Sequence, residues 1–412
     1  MIFTIQSSRF WLNHSVKQVF VSILLMIAAF ATQSAEWTGQ IQAEGRYFFE
    51  QGDFGQDQDS LSIAIEPEFY HAWEDTGFSV VFKPFYRWDS MDDERTHGDV
   101  RELLLTYVGD TWEVKAGLGH VFWGVAESQH LVDIINQTDF VENVDGEDKL
   151  GQPMLSFSTE GEWGLFQLFA LPGFRERTFA GFDGRLRFPL VVDTDNPIYA
   201  DSDEEHRLDG AIRWSKSLGD WDVGLSHFSG TSREPLFVTD LSNPLAPTLR
   251  PLYVTIDQTS VDIQATKDAW LWKLEAISRS GYDVDRYWAA IAGFEYSFYG
   301  ITESGADLGV IMEYQTDSRD LLPGGFEQKD TIVTGFRLAL NDVQSTEALL
   351  GLSFADGQRF YNLEASRRLG DSWKLIIEAR FFEGIDDTKP MDSLFYPLRN
   401  DDYISISLEK YF

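Results

Sequence analysis

Of the side chains that do chemistry, cysteine is absent from all 412 residues. That removes disulfides, thiolate metal sites, iron–sulfur clusters and cysteine nucleophiles together. Beyond residue 35, histidine occurs at His71, His97, His120, His130, His206 and His227. His71, His120 and His227 fall in alternation with Phe69, Leu118 and Leu225, on the apolar side of extended segments. His97, His130 and His206 lie in or beside connections, with no Gly-x-Ser-x-Gly sequence near them. A Ser/His/Asp hydrolase is therefore not expected, and the chain reads as a non-enzyme. Two acidic runs, Asn143–Asp148 and Asp201–Glu205, gather carboxylates. A calcium loop supplies about six to eight spaced oxygens, and neither run has that spacing. Both read as solvated acidic surface, so no metal and no cofactor is expected.

The remaining chemistry is charge, set out by strand parity. Arg46, Lys83, Arg87, Lys115, Arg213, Arg337, Arg368 and Arg380 alternate with apolar residues, as do Glu66, Glu102, Glu364 and Glu378. Residues two apart share one face of a strand, so these segments carry one apolar and one mixed-charge, water-compatible face. In Trp37–Phe49, for example, Trp37, Gly39, Ile41, Ala43, Gly45, Tyr47 and Phe49 oppose Thr38, Gln40, Gln42, Glu44 and Arg46.

Eighteen such segments follow one another: 37–49, 61–74, 78–89, 99–109, 112–124, 154–160, 165–172, 207–218, 221–230, 255–267, 270–280, 288–299, 305–316, 331–341, 347–356, 359–369, 373–383 and 402–412. Their connections alternate between tight turns, such as Asp75-Thr76-Gly77 and Gly219-Asp220, and long loops, such as 125–153, 173–206 and 231–254. Short turns at one end and long loops at the other are the asymmetry of transmembrane barrels. The expected fold is all-β: one antiparallel transmembrane barrel of about 18 strands (16–18) over residues 36–412, with short periplasmic turns and long extracellular loops.

Residues 1–35 supply the address. Arg9 and Lys17 precede the apolar run Val19–Ala31, which is shorter than the roughly 20 residues of a spanning helix. This reads as a secretory signal peptide cleaved after Ala31 or Ala35. An excess of 67 acids over 33 bases, net charge −34, excludes a nucleic-acid partner, which needs clustered cations. An aromatic content of 15% speaks against disorder. Trp37, Trp73, Trp112, Trp163, Trp221, Trp270 and Trp373 stand beside the tight-turn end of their strands, as an interfacial girdle would place them.

The last residues, Asp402-Tyr-Ile-Ser-Ile-Ser-Leu-Glu-Lys-Tyr-Phe412, resemble the terminal strand signal of outer-membrane proteins, with Lys410 a departure from its apolar pattern. Trp123-Gly124-Val125-Ala126-Glu127, followed by Asp133–Asp139, resembles a segment of uncharacterised porin-like outer-membrane families, some of which accompany exporters of hydrophobic compounds. The resemblance covers this loop and the barrel pattern. It implies a transport-associated barrel in the bacterial outer membrane, with outer-membrane lipid and lipopolysaccharide around it. It also implies delivery by the barrel-assembly machinery through the strand ending at Phe412, with a homo-oligomer open.

At about eighteen strands a barrel is wide enough for an aqueous channel. The mixed-charge residues named above are then pore-lining candidates, and passive passage of small solutes is the expected function. The alternative is a non-conducting barrel with a structural or extracellular binding role. Leu131, Ile134 and Ile135 at i, i+3 and i+4 predict a helical turn in loop 125–153. Such a loop packs either inside the lumen or on the outer rim. In the first case Glu127, Asp133 and Asp139 would stand in a constriction, opposite wall bases such as Arg87, Lys115 and Arg380.

Overall fold

The computed structural model describes residues 36–282, 284–321, 328–386, 388, 389, 393 and 395–412; the expected signal peptide and its cleavage sites lie outside them. The first seven strands are β1 (Glu36–Phe48), β2 (Asp59–Ala72), β3 (Phe78–Asp89), β4 (His97–Val108), β5 (Trp112–Gly119), β6 (Gln152–Gly161) and β7 (Gly164–Pro172). Then come β8 (Ile198–Tyr199), β9 (Leu208–Leu218), β10 (Trp221–Thr231), β11 (Leu236–Asp240), β12 (Thr248–Tyr253), β13 (Thr255–Lys267) and β14 (Trp270–Gly281). The last are β15 (Val284–Phe298), β16 (Asp307–Asp317), β17 (Thr331–Ala339), β18 (Glu347–Ala355), β19 (Gln358–Arg368), β20 (Trp373–Glu383) and β21 (Tyr403–Tyr411).

Eighteen of these form one antiparallel sheet, each paired with its neighbours. The sheet closes because β1 pairs with β21, from Gln40 opposite Tyr411 to Phe48 opposite Tyr403. Closure leaves no edge with unpaired backbone groups, which is what a strand needs to stand in lipid. Among the described residues no helix is long and apolar enough to cross a membrane.

All eighteen expected segments are barrel strands, with shifted ends. β5 stops at Gly119 rather than residue 124, so the following loop is 120–151. β15 begins at Val284, with a register irregularity opposite Arg279 and Gly281. Loops 173–206 and 231–254 contain structure that alternation did not reveal: β11, β12 and β8 form a separate three-stranded sheet at the loop end of the barrel. A bulge in β4 opposite Lys83 and Pro84 leaves Arg101 without a register partner.

Side-chain exposure follows parity. On β1, Ile41 and Tyr47 are exposed while Glu44, Arg46 and Phe48 are buried. Trp37, Trp112, Trp163, Trp221, Trp270 and Trp373 are all exposed beside the tight turns, and Trp73 is half-buried there.

Candidate functional site in the barrel lumen

Loop 120–151 is bonded to strands on opposite sides of the barrel, β14, β16 and β17 on one and β3, β4 and β20 on the other, which a loop on the outer rim cannot do. At one end Glu275 of β14 accepts hydrogen bonds from the backbone N–H groups of Val125 (2.7 Å), Ala126 (2.9 Å) and Val132 (3.2 Å). Glu313 of β16 accepts from the N–H groups of Glu127 (2.8 Å) and Ser128 (2.9 Å), and from the Ser128 hydroxyl. A Cβ on Gly124, whose φ is +146°, would meet Glu275 Oε1 at 3.0 Å, so glycine lets the backbone lie against this carboxylate. At the other end Glu142 takes Arg87 of β3 (2.8 Å), Asn143 Oδ1 accepts from Arg380 of β20 (2.6 Å), and Asp145 pairs with the same Arg380 (2.7 Å).

Between these anchors the loop divides the lumen. Trp123, Val132, Ile134 and Ile135 bury against the inward faces of Phe169, Leu171, Ala211, Phe228, Ile256, Ile277 and Ala289. This half, under β7 to β15, is filled by packed side chains, apolar ones together with buried ion pairs such as Arg213–Asp262 and Arg233–Asp209. The expected helical turn is absent: residues 131–139 run through turns and bends, and the apolar spacing is used by irregular backbone packed on the wall. The other half holds a cavity of about 240 Å³ against β1, β2, β3, β20 and β21. Gln40, Gln42, Glu44, Arg46, Glu66, Arg87, Ser405, Ser407 and Glu409 line it from the wall, and Glu142, Asn143 and Asp148 from the loop.

Charge in this chamber is unequally satisfied. Arg46 pairs with Glu44 (3.4 Å), and Arg95 with Glu44 (2.9 Å) and Asp89 (2.8 Å). Arg101, freed by the β4 bulge, pairs with Asp139 (2.5 Å). Burial raises the Glu142 pKa, but the His97 hydrogen bond and the Arg87 and Arg95 charges outweigh it and hold it well below the usual range. Glu66, Asp148 and Glu409 have no cation at salt-bridge distance among the described residues. Asp148 opens onto the chamber yet is enclosed by barrel and loop; that enclosure, then the carboxylates Glu142 and Asp145, pushes it up to about 7.

The expected site residues distribute as follows. Arg46, Arg87, Glu66 and Glu378 line the chamber, and Arg380 borders it, bonded to Glu378, with Glu364 3.8 Å away. Lys83 pairs with Glu68 (3.0 Å) and lies opposite Glu102 in register. Arg213 grips Asp262 (2.7 and 2.8 Å) and stacks over Trp123 on the packed side. Lys115 pairs with Glu113 (2.8 Å) and Arg368 is exposed, both near tight turns.

The loop acids meet other partners than expected. Glu127 binds Arg337 (2.5 Å) and Lys273 (3.3 Å), Asp133 binds Lys149 (3.3 Å), and Asp139 is fully buried on Arg101. None of the three reaches Arg87, Lys115 or Arg380. Arg95, Arg101 and Glu142 escaped the parity reading because two sit in loops and one at a bulge. Two clusters have metal-like spacing, His97/Asp139/Glu142 and Asp145/Glu364/Glu378. Arginines already occupy both: Arg101 and Arg87 the first, Arg380 the second.

No family model and no curated protein matches the chain. Several solved structures are similar to it. One is OmpT, an outer-membrane protein of Vibrio cholerae in trimer form, at 9% identity over 92% of this chain and 99% of that one, TM-score 0.42. A triple mutant of Rhodopseudomonas blastica porin gives 11% identity, 92% and 100% coverage and TM-score 0.44. Escherichia coli Wzi, described as a carbohydrate-binding β-barrel involved in group 1 capsule assembly, gives 10% identity, 97% and 88% coverage and TM-score 0.53. At such identities the likeness is one of fold. The closed eighteen-stranded antiparallel sheet and its exposed outer apolar face agree with it, and the chain has the fold of an outer-membrane β-barrel.

Proposed function

We propose that this barrel is a narrow channel for small hydrophilic solutes, with a preference for cations. The observation that carries the reading is the division of the lumen by loop 120–151 into a packed half and a charged chamber. Solute passes along the wall of β1–β3, β20 and β21, and the loop sets the width of that lane. The chamber arginines are held by carboxylates, so the charge a passing ion meets is that of Glu66, Asp148 and Glu409. Fixed charge of one sign in a low-dielectric passage raises the local concentration of counter-ions and filters the rest.

Reversal potentials in a salt gradient across planar bilayers test this. Because the Asp148 pKa is raised to about 7, the residue is neutral below that pH and anionic above it. Cation preference should therefore grow as pH rises from about 6 to about 8, and the step should vanish in Asp148→Asn. Glu66→Gln and Glu409→Gln should each lower cation preference. A folded barrel whose selectivity ignores all three substitutions contradicts the lane.

A second reading, a barrel that binds a solute without conducting it, draws on the sheet β11–β12–β8 over the loop end and on the fold likeness to Wzi, described as carbohydrate-binding. It predicts a correctly folded protein silent in bilayers.

A further inference from the structure

Loop 173–206 sends a segment across the loop end of the barrel, and its tip, residues 181–187, descends onto the chamber just described. Phe48, Phe382 and Tyr403 form an apolar collar with Leu186 buried among them. Each collar residue lies two positions beyond a luminal residue on the same strand: Phe48 after Arg46, Phe382 after Arg380, Tyr403 before Ser405. Side chains two apart share a face. The collar is therefore the next layer of the same lane, toward the loop end, and Leu186 stoppers it.

We infer that residues 181–187 are a gate, with Leu186 closing the conduction lane at the collar. The inference rests on the channel reading above and adds its regulation. The tip is held by side-chain bonds and not by a strand ladder. Asp401 accepts from Arg185 Nε (2.6 Å) and from the Leu186 N–H (3.2 Å). The same guanidinium reaches the carbonyls of Glu50 (3.1 Å), Asp57 (3.3 Å) and Asn400 (2.7 Å), and lies 4.2 Å over the Phe48 ring. Asp92 takes the Gly181 N–H at 3.1 and 3.0 Å. Gln56 donates to the Gly184 carbonyl (3.2 Å).

Two features make this a movable part rather than wall. Residues 174–191 belong to no strand, so no backbone ladder ties them to the barrel. Segments held by side chains alone open at lower cost than laddered ones. Leu186 also sits at φ +56°, a left-handed conformation that a leucine adopts only when its surroundings impose it. Withdrawal of the tip relieves that strain and uncovers the lane.

The absence of native cysteine gives a direct test. An ideal Cβ on Gly184 lies 2.8 Å from Asp92 Cγ, close enough for a disulfide between cysteines at the two positions. In planar bilayers, Asp92→Cys/Gly184→Cys should be silent when oxidised and conduct on reduction, with more open time than the parent because the Asp92 bonds are gone. Leu186→Gly, which removes both stopper and strain, should raise open probability several-fold without a cross-link. Equal conductance of the oxidised and reduced pair, with the bridge verified by mass, overturns the gate, as does a Leu186→Gly protein identical to the parent. If the parent, Leu186→Gly and a lumen-loop deletion are all folded and silent, the channel reading itself falls and the gate with it.

Discussion

Deleting residues 128–148 should raise single-channel conductance several-fold and turn ion preference from cations toward anions. The segment supplies Val132, Ile134 and Ile135 to the packed half of the lumen, so its loss opens that half to water. It also carries Asp133, Asp139, Glu142, Asp145, Glu147 and Asp148 and no lysine or arginine. Arg87 and Arg101 lose the loop carboxylates that now neutralise them, and Arg380 loses Asp145. A wider lumen with uncovered guanidinium groups conducts more and attracts anions. The strands do not depend on the loop for their ladders, so the barrel should still fold. Conductance steps and reversal potentials read both effects. A folded deletion protein with parental conductance would place the pathway elsewhere.

The second large effect is expected at Glu275. Its carboxylate satisfies the N–H groups of Val125, Ala126 and Val132 and is itself fully buried. Alanine there leaves those donors without an acceptor, at about 1–3 kcal/mol for each buried group left unpaired. Glu275→Ala should therefore lower the thermal stability of the folded barrel markedly and make loop 120–151 accessible to protease. Glu275→Gln keeps a carbonyl oxygen in place and should recover a large part of the loss. Thermal unfolding with limited proteolysis tests the pair. Equal, parental stability in both variants would mean that the loop is held by its apolar packing and by Glu313 alone.

The strands were legible because period-two alternation depends only on a wall with water on one side and lipid on the other. Closure was legible through Phe412 and the alternation of turn and loop lengths. The division of the lumen was not. Parity assigns Phe169, Leu171 and Phe228 to the inner face as readily as Arg213, yet inward apolar residues make sense only once a loop is known to cover them. The ion pairs were hidden for another reason. Glu127 meets Arg337, and Asp145 meets Arg380, across hundreds of residues of chain. The acidic run 143–148 was visible as carboxylates and invisible as the second wall of a chamber. Apolar spacing at Leu131, Ile134 and Ile135 marked burial correctly and helix wrongly, because packing against a curved wall needs only that the side chains reach it.

With the loop in place, water is expected to fill one half of the lumen and not the other. Single cysteines at Gln40 and Ser407, on the chamber wall, and at Ala211 and Ala289, under the loop, measure this directly, because the chain has no other thiol. With the folded barrel in lipid bilayers and a small charged methanethiosulfonate added, the Gln40 and Ser407 positions should react and each should change the current on reaction. The Ala211 and Ala289 positions should stay unmodified until residues 128–148 are deleted. Rapid labelling at Ala211 or Ala289 in the full-length loop, with Gln40 and Ser407 protected, would contradict it.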